Sequence, residues 1–273
     1  MESVAVLAER ARRCRAAIIA MGASEHGAHV GGSLSCADIL TVLYSRVLNV
    51  RPDEPSWPGR DWFVLSKGHA SAALYAVLSE SGFFSPAECL TYGKNGSRLA
   101  GHPLSSLPGV DFPTGSLGHG LSLGVGVALA AKRSGGSNRV FVLLGDGELQ
   151  EGSNWEAIMS AAQFDLDNLV AVVDRNGWQI TGRTEERMRL EPLADRWRAF
   201  GWGCVEVDGH DLAELCAAFQ ALPISTGQPS VVIARTVKGS GVPIFEDRKK
   251  SHYVTLTDRL YRRAMAGLNG DRR

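Results

Sequence analysis

The sequence has 273 residues, with 29 basic and 29 acidic side chains cancelling to no net formal charge, and 44% of it is hydrophobic. That balance excludes a strongly basic nucleic-acid binder or a surface built for anionic membranes, and no apolar run approaches the ~18 residues that span a bilayer. The length provides ample core for one large α/β domain, expected over residues 1–273.

In chain order, residues 2–21 predict a helix, because Val4, Leu7, Ala11, Cys14 and Ile18 recur at helical spacing. A glycine- and histidine-rich loop covers 22–32. Ser35 followed by Asp38 reads as a capping signal for a helix that buries Ile39, Leu43, Tyr44 and Val47. Prolines mark 51–60 as irregular. A short strand at 61–65 turns through Ser66-Lys67-Gly68-His69 into a helix at 70–79. Residues 82–118 lack periodicity, and such a long irregular stretch in a compact domain reads as functional. A helix at 121–132 precedes a strand–helix–strand unit: 140–144, 154–164 and 169–173. Trp155, Ile158, Met159 and Ala162 define the expected buried face of its helix. A charged loop (182–192), a helix (193–200), a strand (202–207), a helix (211–222) and a strand (231–237) follow. Residues 239–253 read as a mobile tail before a closing helix at 256–266. Strands alternating with helices predict a parallel sheet flanked by helices on both faces.

Cys14, Cys36, Cys89, Cys204 and Cys216 are odd in number and never form a Cys-x-x-Cys pair, so reduced, structural thiols and a cytoplasmic location are expected. The first residues lack a basic and then apolar pattern, so no signal peptide is expected.

Two apolar strands end in loops of unusual composition: Gly145-Asp146-Gly147-Glu148-Leu149-Gln150-Glu151-Gly152 and Asp174-Arg175-Asn176-Gly177. Strand–helix–strand connectivity puts Asp146 and Asn176 beyond the carboxyl ends of neighbouring parallel strands, where open α/β sheets bind ligands. A carboxylate and an amide oxygen beside glycines suit a hard divalent cation carrying a diphosphate. The alternative for Asp146 is a helix cap.

Gly-Asp-Gly closed by Asn about thirty residues on resembles the thiamine diphosphate motif. Glu151-Gly152, Trp155-Glu156-Ala157 and Asn176-Gly177-Trp178-Gln179-Ile180 resemble its transketolase version in particular. The resemblance implies a thiamine diphosphate-binding fold with the Trp178 carbonyl as a third metal ligand beside Asp146 and Asn176. Magnesium is expected, and calcium could substitute. The Gly147 N–H would meet the diphosphate at a helix start. Gly115, Gly145, Glu148 and His69 would also border the cofactor, and Leu117 and Ile180 would flank its rings. Lys238-Gly239 is similar to a Lys-Gly segment near the diphosphate, with a surface lysine as the alternative.

Three loop histidines have contexts similar to transketolase segments: His29 before Val30-Gly31-Gly32, His69 after Lys67-Gly68, and His102 in Gly101-His102-Pro103; His252 takes roughly the place of the family's C-terminal substrate histidine, with flanking residues that depart from its pattern. The resemblance implies that His29 and His69 contact substrate hydroxyl and carbonyl oxygens, and that His102 bonds the reacting sugar. His252 is either a fourth substrate group or solvated surface. His119 is expected behind these residues. Neutral imidazoles both donate and accept, which suits reversible ketol transfer. Glu151 and Glu156 are either dimer-interface carboxylates, by resemblance, or exposed helix-start residues.

The resemblance spans nearly the whole chain but only the first of a transketolase's three domains. It therefore implies the N-terminal subunit of a split transketolase. Such a subunit would be active only with a separately encoded partner carrying the pyrimidine-binding and C-terminal domains, as an α2β2 heterotetramer acting on sugars or sugar phosphates. The alternatives are the α subunit of a 2-oxo acid dehydrogenase and a non-catalytic cofactor-binding subunit.

Overall fold

The computed structural model describes residues 2–270. Five parallel strands form the central sheet: β1 (Trp62–Leu65), β2 (Val140–Gly145), β3 (Leu169–Arg175), β6 (Gly203–Asp208) and β7 (Ser230–Arg235). They lie in the order β1-β2-β3-β7-β6. Two short antiparallel strands, β4 (Trp178–Gln179) and β5 (Gly182–Arg183), form a hairpin that leads into the short helix α7 (Thr184–Arg187), within the loop expected to be strandless.

Every residue of β2 and β3 is buried, as expected for strands covered on both faces. Alternate side chains feed two cores. Phe141, Leu143, Val170 and Val172 join the core built with α1 (Val4–Gly22), α4 (Ser71–Glu80) and α9 (Leu212–Gln220). Val140, Val142, Leu144, Ala171 and Val173 join the core built with α5 (Gly120–Arg133), α6 (Gly152–Gln163) and α8 (Leu193–Ala199). The chain steps from β1 to β3, crosses to β6 at the far edge and returns as β7 beside β3. This reversal leaves a crevice at the carboxyl ends of β3 and β7, the usual ligand position in such sheets. The register aligns Gly145 with Asp174 and Asp174 with Ala234, so the three loops that follow start level.

Three expectations need correction. Ser35 caps no helix: α2 (Val30–Ser35) begins earlier, inside the expected loop, and the buried Ser35 hydroxyl donates to Asp174 at 2.6 Å, with Gly32 O 3.1 Å away. The next helix, α3 (Ala37–Val42), lacks a side-chain cap. Met159 is exposed, because α6 buries Asn154, Ala157, Ile158 and Ala161 instead. Small side chains let this face approach α5 closely, and the buried stripe is turned away from Met159. Finally, 239–253 is an anchored loop. Gly239 N donates to Gly31 O, Asp247 N donates to Lys238 O, and Ala28 pairs with Val254 before α10 (Asp258–Leu268). Gly239 has φ +81°, and a Cβ there would lie 2.3 Å from Phe245 O, so the turn requires glycine.

Candidate active site

The loops after β1, β2, β3 and β7 converge on one crevice. At its floor, the ammonium of Lys67 contacts the Asp174 carboxylate, both fully buried. Asp174 also accepts from Ser35, Asn176 Nδ2 (3.2 Å) and Thr236, and Lys67 donates to Gly32 O (2.9 Å). Burial by itself would raise the Asp174 carboxyl, but Lys67 and the hydroxyl donors hold it below the ordinary carboxylate value. The pair ties β1, β3 and the start of α2 together and leaves neither charge free.

Beside it stand Asp146 and Asn176. Asp146 Oδ1 accepts from Gly147 N (2.8 Å), and Oδ2 accepts from Gly177 N (2.6 Å) and Arg175 (2.8 Å). Asp146 therefore caps the turn at Gly147, and the Gly147 N–H expected to meet a diphosphate is given to Asp146 instead. Asn176 Oδ1 accepts from Trp178 N (3.0 Å). A carboxylate has about four acceptor positions and an amide oxygen two, so each keeps one lone pair free. These two free oxygens are of the ligand type that magnesium or calcium takes. Among the described residues, no three His, Cys, Asp or Glu side chains are grouped to hold a metal alone. Burial raises the Asp146 carboxyl above its usual range, against the pull of Arg175.

Glu148 is buried. Its carboxylate accepts from Ser66 (2.5 Å), Gly118 N (2.9 Å) and Gly145 N (3.0 Å), binding three loops together. Gly68 packs so tightly that a Cβ would lie 2.7 Å from the Thr114 backbone.

Across the crevice the four predicted histidines form one cluster. The His29 ring centroid lies 5.3 Å from His69, 5.9 Å from His102, 5.4 Å from His252 and 4.7 Å from Tyr253. Among the described residues, Nδ1 of His29 is buried without a hydrogen-bond partner. Burial pushes His29 and His252 down to about 4, and burial with the nearby Lys67 charge pushes His69 well below its ordinary 6.5. All three are neutral near pH 7. Gly115 packs against His102: a Cβ there would lie 3.2 Å from its ring.

Lys238 completes the cluster. Its side chain is 1% exposed, and its Nζ lies 3.2 Å from His252 Nδ1 and 5.8 Å from the Trp178 ring centroid. Among the described residues no carboxylate pairs with it. Burial, with Lys67 as a like charge, pushes it down to about 8. An unpaired buried ammonium is costly, and a bound anion would remove the cost.

Leu117 is half-buried, while Ile180 is 64% exposed on the rim, not part of a closed wall. His119, Glu151 and Glu156 are exposed outside the cluster. Lys67, Asp174, Arg175 and Tyr253 were not singled out from sequence. The first three flank the recognised motifs, and Asp174, directly after the apolar run 169–173, was the available signal.

A sequence profile described as "Transketolase, thiamine diphosphate binding domain" matches residues 8–269. The chain is 46% identical over 237 residues to an apulose-4-phosphate transketolase subunit of Phocaeicola vulgatus, covering 87% of this chain and 84% of that one. It is 43% identical over 242 residues to a 6-deoxy-6-sulfo-D-fructose transketolase subunit of a Clostridium species, covering 88% of each. The crystal structure of Campylobacter jejuni transketolase superimposes with a TM-score of 0.92 at 32% identity, covering 98% of this chain but 43% of that one. The human transketolase is 39% identical over 252 residues, 92% of this chain and 40% of that one. The chain belongs to the transketolase family, matching its thiamine diphosphate-binding domain.

Proposed function

We propose that this chain is the diphosphate-binding subunit of a two-chain transketolase that moves a two-carbon ketol unit from a ketose to an aldose. The observation that carries this reading is Lys238, a buried ammonium with no carboxylate partner among the described residues, beside His252 of the histidine cluster and the Trp178 ring. Thiamine diphosphate, when bound, supplies the electron sink that lets a carbon–carbon bond next to a carbonyl break and re-form.

The protein's residues bind, orient and handle protons. Asp146, Asn176 and the Trp178 carbonyl hold a magnesium ion, and Lys238 supplies positive charge to the diphosphate. Glu148 sets the loops around this position, and its own carboxylate is occupied by internal donors. His29, His69, His102 and His252 line the sugar path. A neutral imidazole can donate to a carbonyl or accept from a hydroxyl, so His29, His69 and His252 serve both directions of transfer without a net charge change. The unpartnered His29 Nδ1 is the position where a substrate hydroxyl fits.

The exposed face around Ile180, Glu151 and Glu156 receives the separately encoded chain with the pyrimidine-binding domain, in an α2β2 assembly. Support comes from relatives named as transketolase subunits that this chain matches over most of their length. Their names give sugars bearing a phosphate or a sulfo group, and we assign this chain an anionic ketose as donor. Its five free cysteines fit the reducing cytoplasm. No helix among the described residues is long and apolar enough to cross a membrane.

The test is an assay of ketol transfer by the purified chain, alone and mixed with the partner. Activity is expected only in the mixture, and transfer by the single chain would refute the two-chain reading. Calorimetric titration with thiamine diphosphate and magnesium should show binding that Asp146→Ala abolishes in a folded chain.

A further inference from the structure

Outside the site, a network rooted in the buried Asp38 and Arg15 runs through the part-exposed His210 to the backbone that carries Lys238. His210 lies in the turn between β6 and α9. Its Nε2 accepts the Val237 N–H at 2.8 Å, and its Nδ1 lies 2.8 Å from Asp38 Oδ2 and 3.4 Å from the Ser240 hydroxyl. Nε2 can accept only when unprotonated, so the ring proton sits on Nδ1 and is given to Asp38. Asp38 is in turn gripped by both terminal nitrogens of Arg15, at 2.9 and 2.5 Å, and both residues are buried. The remaining guanidinium nitrogen of Arg15 donates to Ser240 O at 3.0 Å. The network thus holds the chain on each side of Lys238, at 237 and 240.

We propose that His210 is a positioning residue for anion binding: its Nε2 fixes the Val237 amide, so that the adjacent Lys238 projects its ammonium into the crevice. Asp38 and Arg15 act through it, selecting the tautomer that can accept. A lysine has a flexible four-carbon stem and brings no geometry of its own, so its aim depends on where the backbone is anchored. A buried ion pair adds little net stability over an apolar pair, and here it sets an orientation, as carboxylates behind functional histidines do. The inference rests on the reading of Lys238 as an anion-binding group.

The test compares His210→Asn and His210→Gln in the full chain, by titration with inorganic pyrophosphate and magnesium. Asn keeps an amide donor near Asp38 but is too short to reach Val237, while Gln places its amide oxygen near the original Nε2. His210→Asn should weaken pyrophosphate binding about tenfold, and His210→Gln should restore it to within about threefold. Equal losses in both variants, or no loss in either, would overturn the proposal, because a purely structural role would not separate them. Lys238→Met run in parallel separates the two readings. If it loses pyrophosphate and His210→Asn does not, only the positioning role fails. If Lys238→Met binds normally, the anion-binding role of Lys238 fails as well. Should His210→Asn not fold, nitrogen NMR of the wild-type ring decides: an unprotonated Nε2 is required, and a proton there overturns the proposal.

Discussion

Two lysines, Lys67 and Lys238, are each 1% exposed at the carboxyl end of the same sheet, yet their surroundings differ. Lys67 on the crevice floor has its own carboxylate, Asp174, whose remaining acceptors are filled by Ser35, Asn176 and Thr236. Lys238 has a neutral imidazole and the Trp178 ring beside it and, among the described residues, no paired carboxylate. Burial acts on both. It is overcome at Lys67, which is raised above the usual lysine value, and it wins at Lys238. A buried charge with a complete internal shell is part of the scaffold, and one without a shell marks where a ligand completes the structure.

Removing each cation in turn should give the largest contrast. Lys67→Met strands a buried carboxylate and should destabilise the fold by about 3–5 kcal/mol, lowering the thermal midpoint by about 10 °C. Lys238→Met should leave the midpoint within about 3 °C of wild type while reducing pyrophosphate affinity at least about tenfold. Thermal melts beside binding titrations check both, and a reversed pattern would overturn the distinction.

Smaller effects refine it through pH. Lys238 titrates at about 8 in the free chain, and a bound anion favours its protonated form. Pyrophosphate affinity should therefore fall as pH rises through about 8, and Lys238→Met should flatten that dependence. On the acid side, unfolded histidines take up protons near 6.5, whereas folded His29 and His252 do so only at about 4. The unfolded state binds more protons in that window, so stability present at pH 7 is lost as pH falls from 6.5 towards 4. Denaturant melts across that range should show the loss, reduced in His252→Asn. The smallest expected effect lies at a helix start. Asp211 caps α9 by accepting from Ala213 N and Glu214 N, and Asp211→Ala should cost about 1 kcal/mol in denaturant melts.

The parallel sheet, all five of its strands, and the placement of Asp146 and Asn176 on adjacent loops were legible because each rests on local pattern. Apolar runs ending at Gly-Asp-Gly and Asp-Arg-Asn-Gly fix strand ends, and a strand–helix–strand unit has one favoured hand. The histidines were legible as candidates through their glycine-flanked contexts, but their convergence within 6 Å of His29 depends on loops closing from four parts of the chain. Burial also depends on that closure. Lys238 was legible only through the resemblance of Lys238-Gly239 to a Lys-Gly segment, with a surface lysine as the alternative, and Ser35 looked like a cap because its true partner, Asp174, is 139 residues away.

Fold class and the chemistry on offer follow from the order of residues alone, because periodicity and motif spacing are short-range properties. Which charges are satisfied and which are not was settled by long-range packing. Asp38 meets His210 across 172 residues, and Lys67 meets Asp174 across 107. Desolvation is a property of everything packed around a group, so the difference between a structural lysine and a ligand-seeking one exists only once the chain has folded.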